Sequence, residues 1–540
     1  MAQRRRIIAQ PEEFLRGLQQ VQLSAEMRRR MRTLVDACRH DVDRFGRAFC
    51  PHLTSDVSCG MHRDFDARWR ADNGKRGLKD VTAAPRGSAK TTHKVTIKTL
   101  HDVCYRLERF IPIFSSTTTL ADDKVKFIKL ELELNELIQM AFGPQQSNRW
   151  NMNDFVTLSG IRIMAASPLT QVRGIQHDGK RPTKIILDDA ENALHVQTQA
   201  QREKHRKWFT EDISKLGEGE TNIDVIGTIQ HPESLMAWLL TNPGYRQMKY
   251  KAVINFASRV ELWQQWREIF VDMGNDHRVD DSRNFFEAHA RDMLADAEVL
   301  WPEHEPYYEL MVMRLVEGDT AFWLEKQNEP LGDVRYLFKM DEAGYCEVEP
   351  GEIRRMDGRI VSFVDLVDVV GFCDPALGES GEKGDYAALV IVAQDSHDWK
   401  YVLDCYLKND EPPSVQVEHM VDLLWRWKPS RLGLESNGFQ SLFMDDLKQG
   451  MARRALEERS DWSPMYLSIE HTRAKPIRIS TLEPQVTNRW LWFSSRLPFE
   501  AFRQMRDFRA LKDAGHDDFP DALEGAVRLL ENYVRTKTTL

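Results

Sequence analysis

Between Ala84 and Thr92 the chain reads APRGSAKTT. A lysine followed by a hydroxyl residue, here Lys90 and Thr91, is how the common phosphate-loop pattern G-x-x-x-x-G-K-[ST] ends. Such a loop aims backbone N–H groups and a helix N-terminus at phosphate oxygens. Its lysine adds a point charge and its hydroxyl holds Mg2+. Ala84 and Ala89 stand where the pattern has glycine, Gly87 supplies the turn, and Arg86 adds a second cation. A nucleotide would therefore meet Arg86, Gly87, Ser88, Ala89, Lys90, Thr91 and Thr92. The same nine residues also fit a basic turn before a helix, so their meaning depends on the acids and strands farther along the chain.

About a hundred residues on, KIILDDAEN is an apolar run ending in Asp188 and Asp189. A carboxylate at a strand's C-terminal end suits a Mg2+ ligand, which assigns that role to Asp188 beside Thr91. A further acid would polarise the attacking water, and both Asp189 and Glu191 are placed for it. A third run, VIGTIQHPESL, ends a strand on Gly227 and Thr228. Ligands of open α/β sheets lie at that strand edge, where Thr228 could sense a γ-phosphate.

A second set of acids lies toward the C-terminus. Asp374 ends the run GFCD, Asp385 opens the next run, Glu435 ends LGLE, and Asp517, Asp518 and Asp521 sit in HDDFPDAL. Carboxylates gathered in one place repel and hold their protons unless cations bind. Two Mg2+ or Mn2+ ions about 3.5–4 Å apart would relieve this and clamp a phosphodiester for in-line attack by water. Carboxylates are the hard oxygen ligands that Mg2+ prefers.

Strands and helices must position these residues. Residues 1–60 are charged and helical in spacing. KDVTAA, RFIPIF, RIMAAS, KIILD and NIDVIG are short apolar strands alternating with helices such as LADDKVKFIKLELELNELIQMAF, which predicts a mostly parallel buried sheet over 61–255. Tryptophan-rich helices fill a linking subdomain, 256–345. From 346 to 540, three strands (VVGFCDPAL, DYAALVIVAQ, WKYVLDCYL) precede helix, strand (RLGLES) and helix, the order of a ribonuclease H-like domain. There the first and fourth strands are neighbours and the last helix packs across them. Asp374, Glu435 and one of the late aspartates would then converge.

Composition bounds the rest. The chain has 540 residues, 42% hydrophobic and 29% charged, an ordinary globular balance that excludes a mainly disordered chain and implies two or three domains. No apolar run is long enough for a membrane span, and the basic opening MAQRRRIIAQ lacks a secretory h-region, so a cytosolic protein is expected. A net charge of −9 argues against tight coating of nucleic acid but not against local contacts. Seven scattered cysteines without a CxxC pair read as reduced thiols. Cys50, His52, Cys59 and His62 have zinc-type side chains at spacings unlike a common zinc module, and packing is the simpler account.

Taken in order, these stretches resemble the large terminase subunit of tailed double-stranded DNA bacteriophages, from about residue 45 to 535. PRGSAKTT, QVRGIQHDGKRP, IGTIQHP, WLEKQNEP, DPALGESGEKGDYAALVIV, TRAKPIRI and HDDFPDAL carry the resemblance. It implies an N-terminal P-loop ATPase domain of the RecA/ASCE kind and a C-terminal ribonuclease H-like nuclease. Together these would be an ATP-driven motor that moves double-stranded DNA through a portal into a procapsid and cuts concatemers with Mg2+ or Mn2+. It further implies Arg86 near a γ-phosphate, Lys90 and Thr91 on phosphates and Mg2+, and coupling through Gly227 and Thr228. For the nuclease it implies Asp374, Glu435 and Asp518 as first metal ligands, Asp385, Asp517 and Asp521 as supporting ones, and Lys475 on DNA. The implied partners are DNA, a portal protein, a small terminase subunit and sister copies in a ring of five. The implied place is the host cytoplasm rather than the mature virion. A resolvase-like nuclease with a nucleotide-binding regulatory domain is the alternative.

Overall fold

The computed structural model describes residues 25–54, 56–72, 74–170, 172–330, 336–375, 385–435, 440–469, 474–509 and 516–537. The chain divides into two units. The first comprises Met1–Glu191, Lys204–Gly227 and Trp238–Lys249; the second comprises Asn192–Glu203, Thr228–Ala237 and Tyr250–Leu540. The chain thus leaves the first unit at three places, after Glu191, after Gly227 and after Lys249.

The first unit is built on an eight-stranded sheet. Its strands are β1 (Lys79–Ala83), β2 (Phe110–Phe114), β3 (Gln146–Trp150), β4 (Asp154–Thr157), β5 (Arg162–Ala166), β6 (Lys184–Asp188), β7 (Asn222–Gly227) and β8 (Arg246–Lys249). Their order is β3-β4-β5-β2-β6-β7-β1-β8. From β5 to β8 all neighbours are parallel; β3 and β4 pair antiparallel at one edge. β2 and β6 are buried along their whole length, as expected of apolar runs covered on both faces. One strand, β7, lies between β1, which leads into the Ala84–Thr92 loop, and β6, which ends on Asp188.

Two features add to the sequence reading. The helices Ala25–Cys38 and Val42–Phe49 do not stand apart from the sheet. Phe45 and Phe49 share one apolar cluster with Ile97, Leu100, Ile128 and Ile186, so the described part of the 1–60 segment belongs to this core. The long helix after β2 is broken in two, Thr118–Leu134 and Glu136–Phe142, because the Asn135 side chain accepts the N–H of Ile138 and caps the second piece.

The second unit contains helices around Trp263, Trp266 and Phe270 and a two-stranded pair, β9 (Val253–Asn255) with β10 (Glu298–Val299). Gly318, at φ +93°, separates the helices Tyr307–Glu317 and Asp319–Glu325. The residues read as a linking subdomain fall in this unit, with the nine-stranded sheet.

That sheet consists of β11 (Gly344–Glu349), β12 (Glu352–Arg355), β13 (Ile360–Ser362), β14 (Leu366–Asp374), β15 (Ala387–Asp395), β16 (Lys400–Lys408), β17 (Arg431–Glu435), β18 (Met465–Ile469) and β19 (Leu491–Ser494). The order is β13-β12-β11-β19-β16-β15-β14-β17-β18. β14, β15 and β16 form an antiparallel meander, and β17 and β18 join parallel on the β14 side. Numbered from β14, this is 3-2-1-4-5, the ribonuclease H-like order expected from the sequence. On one face Phe372 packs with Ala522, Ala526 and Leu529 of the last helix, Asp518–Lys537. On the other, Leu389 and Leu432 meet Met420 and Leu447 of the helices Pro413–Trp427 and Gln440–Glu457.

Two candidate active sites

The first site lies in the second unit. β14 and β17 run parallel, with Cys373 opposite Leu434, so Asp374 and Glu435 leave the same end of neighbouring strands. The last helix supplies the third acid, and two glycines decide how close it comes. A Cβ on Gly525 would stand 2.5–2.6 Å from the Phe372 ring, and one on Gly433 2.7 Å from the same ring. Only hydrogen fits at either place, so helix and sheet close onto Phe372. Asp521, one turn before Gly525, is thereby brought beside the strand ends. Ligand oxygens of Asp374, Glu435 and Asp521 all lie within 4.8 Å of one another.

Crowding shows in the acid strengths. Burial pushes Asp374 up to about 8, opposed by Lys475 and reinforced by Asp521, Glu435 and Asp518. Burial, with Asp521, also raises Glu435. Three hard-oxygen donors whose charges are hard to hold together match a divalent cation such as Mg2+ or Mn2+.

The other expected acids take different places. Asp518, expected as the third ligand, is not in the converging set. It opens the helix, and its carboxylate accepts the Tyr386 backbone N–H at 3.1 Å; burial pushes it up to about 6. Asp521 stands in its place. Asp517 pairs with Lys475 at 2.7 Å, and Asp385 is exposed next to Tyr386. Lys475, expected on DNA, also lies 3.3 Å from Asp521. Burial opposes its charge, but Asp521 and Asp517 outweigh that and raise its pKa. Arg478, one turn on, is buried and reaches Asp521 at 2.8 Å and Glu524 at 2.9 Å. Sequence reasoning passed over Arg478. Its spacing of three from Lys475, facing Asp517, Asp521 and Glu524, is the signal that was present.

The second site lies in the first unit. β1 hands the chain to the loop, where the Ala84 N–H donates to Gly227 O at 3.0 Å. Gly87 (φ +85°) and Ala89 (φ +56°) both adopt left-handed backbone. Ala89 therefore does at this position what glycine does in the common pattern, at some conformational cost. The Ser88 hydroxyl donates to Pro85 O at 2.7 Å, and His62 Nε2 lies 2.9 Å from Ser88 O. A π-helical turn, Thr92–Ile97, continues the loop. Lys90 is buried, and Arg86 and Gly87 are exposed.

The Thr91 hydroxyl lies 3.0 Å from each oxygen of Asp188, so the two residues expected to share Mg2+ are in contact. Burial pushes Asp188 up, and Lys124 opposes this at 2.6 Å. Lys124 is a second residue that sequence reasoning passed over. Asp189 is half-buried, with φ +49°; its N–H donates to Ile226 O at 2.9 Å. Glu191 ends this part of the first unit, and Thr228 opens a part of the second.

The four zinc-type residues do not assemble. His52 pairs with Glu131 at 2.8 Å, and His62 holds Ser88 and accepts the Cys59 N–H. Among the described residues, Asp374, Glu435 and Asp521 form the one group of such side chains close enough to share an ion.

No family model and no curated protein matches the chain. Similar solved structures include the nuclease domain of the human cytomegalovirus terminase, 14% identical at a TM-score of 0.24, over 31% of this chain and 85% of that one. The large terminase nuclease from thermophilic phage G20c is 12% identical at 0.23, over 36% and 98%. T. thermophilus RuvC in complex with a Holliday junction substrate is 16% identical at 0.19, over 32% and 97%. No described helix is long and apolar enough to cross a membrane.

Proposed function

We propose that the chain is a DNA-packaging motor with its own nuclease, the large terminase of a tailed double-stranded DNA phage. The observation that carries the nuclease half is the convergence of Asp374, Glu435 and Asp521 at the ends of adjacent parallel strands and a glycine-seated helix. A divalent ion held there would polarise the scissile phosphate and lower the pKa of the attacking water. The chain's own residues hold one of these acids in place: Lys475 and Arg478 anchor Asp521 from the side.

The motor half is supported by the first unit. The loop strand β1 and the acid strand β6 are separated by β7, the additional-strand arrangement of the ASCE ATPases. Lys90 and the loop amides would bind the phosphates of ATP, with Arg86 on the exposed side. Thr91 and Asp188 would hold Mg2+, and Asp189 or Glu191 would orient the water. Gly227 and Thr228 sit at one of the points where the chain passes between units, suiting a role in coupling. The proposed partners are double-stranded DNA, a portal protein, a small terminase subunit and sister copies in a five-membered ring.

The test is supercoiled plasmid with Mg2+ or Mn2+, with ATP turnover followed in the same tubes. Asp374→Ala should lose cleavage and keep ATPase, and Lys90→Ala should do the reverse. Undiminished cleavage by Asp374→Ala would remove the nuclease half, and undiminished turnover by Lys90→Ala the motor half. If both losses occur, ATP-dependent packaging into empty procapsids is the next assay.

A further inference from the structure

Lys124 belongs to no phosphate-loop motif. It stands on the helix Thr118–Leu134, just after β2. Its ammonium nevertheless reaches three acceptors: Asp188 Oδ2 at 2.6 Å, Ser115 Oγ at 2.9 Å and the Asp188 carbonyl at 3.0 Å. Ser115 in turn donates to that carbonyl at 2.8 Å. An ammonium has three protons, and all three are used on or around one residue.

Asp188 has no exposed surface, whereas the Lys124 side chain is 20% exposed. A buried carboxylate stripped of its cation is strongly destabilising. A divalent ion and an ammonium on the same carboxylate repel each other at short range. One of the two has to yield, and only the lysine has a long, flexible stem and an open path.

We propose that Lys124 is a positioning residue that acts as the resident counterion of Asp188 and is exchanged for Mg2+ when the metal arrives with nucleotide. It keeps the Asp188 carboxylate beside Thr91 while the site lacks metal, and it competes against Mg2+ that comes without phosphates. The inference rests on the reading of Asp188 as a metal ligand.

Melting of the full chain tests it, in an Asp374→Asn background that weakens the other metal cluster. The background protein and its Lys124→Gln derivative are compared in EDTA, in Mn2+ alone and in Mn2+ with ADP. Lys124→Gln should melt lower in EDTA and recover in Mn2+ alone, with Mn2+ bound at least tenfold more tightly than in the parent. A melting deficit equal in EDTA and in Mn2+ overturns the proposal, because a purely structural lysine would behave that way. If Lys124→Gln does not fold in EDTA, it is prepared in Mn2+ and then chelated. Unfolding on chelation supports exchange, and failure to fold in Mn2+ as well overturns it. Absence of any added stabilisation by ADP in the parent would instead sink the nucleotide reading of the loop, independently of Lys124.

Discussion

Asp374→Asn should stabilise the metal-free protein, and more so as pH rises. In the folded chain Asp374 titrates at about 8, against 3.8 for an ordinary aspartate. Below pH 3.8 the carboxyl is protonated whether folded or unfolded and contributes nothing. Between the two values the folded state retains a proton that the unfolded state releases, so stability falls as pH rises, and the loss levels off above about 8. At about 1.4 kcal/mol per pH unit, the loss grows by roughly 3 kcal/mol between pH 5.5 and 8.5. That figure is an upper bound, since neighbouring side chains relax and water enters. Asparagine has the same shape and no charge to lose, so the variant escapes the loss. Urea denaturation in EDTA, followed by tryptophan fluorescence at both pH values, measures the gap. The variant should gain on the wild type by up to roughly 3 kcal/mol more at pH 8.5 than at pH 5.5. A gap that does not change with pH, or that narrows, would refute the claim that burial and crowding act on Asp374.

Two further substitutions test the packing that positions the sites. Gly525→Ala puts a methyl group 2.5 Å from the Phe372 ring and should destabilise by about 1–3 kcal/mol. It should also reduce plasmid cleavage by displacing Asp521, and a variant with wild-type melting and cleavage would show that the helix is not seated on that ring. Ala89→Gly removes a side chain from left-handed backbone; weighed against the extra freedom of glycine in the unfolded chain, a gain of about 0.5–1 kcal/mol is expected in chemical denaturation. A loss would mean that the Ala89 methyl packs favourably enough to outweigh its backbone.

The parallel core of the first unit was legible because β2 and the middle of β6 are apolar runs, and such runs mark central strands. The short strands were not. β3 is a polar, half-exposed edge strand, β12 is rich in charge, and β19 is four residues long; β12 and β19 each lie between two neighbours that settle their place in the sheet. The choice of Asp521 over Asp518 shows a different limit. Three aspartates within five positions all open one helix, and sequence alone leaves the helix phase free. The phase is set by Gly525 against Phe372. A glycine inside a helix is itself a sign of close approach, and Asp521, four residues earlier, shares its face. Lys124 was hidden for the opposite reason. In ADDKVKFIKLE it reads as one charge among many on a solvated helix, and its partner comes from a strand end far along the chain.

The acids Asp374, Glu435 and Asp521 are not equivalent, and the cations around them show why. Both oxygens of Asp521 are engaged, Oδ2 by Lys475 at 3.3 Å and Oδ1 by Arg478 at 2.8 Å. Asp374 and Glu435 have no cation at ion-pair distance among the described residues, and both are pushed toward protonation. Two fixed cations therefore balance the helix side of the cluster, while the strand side keeps its charge deficit. A divalent ion gains most where that deficit is largest, between the ends of β14 and β17. Asp521 would then serve as a ligand whose position is already fixed from behind. At Asp188 the neighbouring cation is Lys124, at 2.6 Å. In both units a lysine steadies an acid that the fold has buried, so the geometry each reaction would need is in place before any metal arrives.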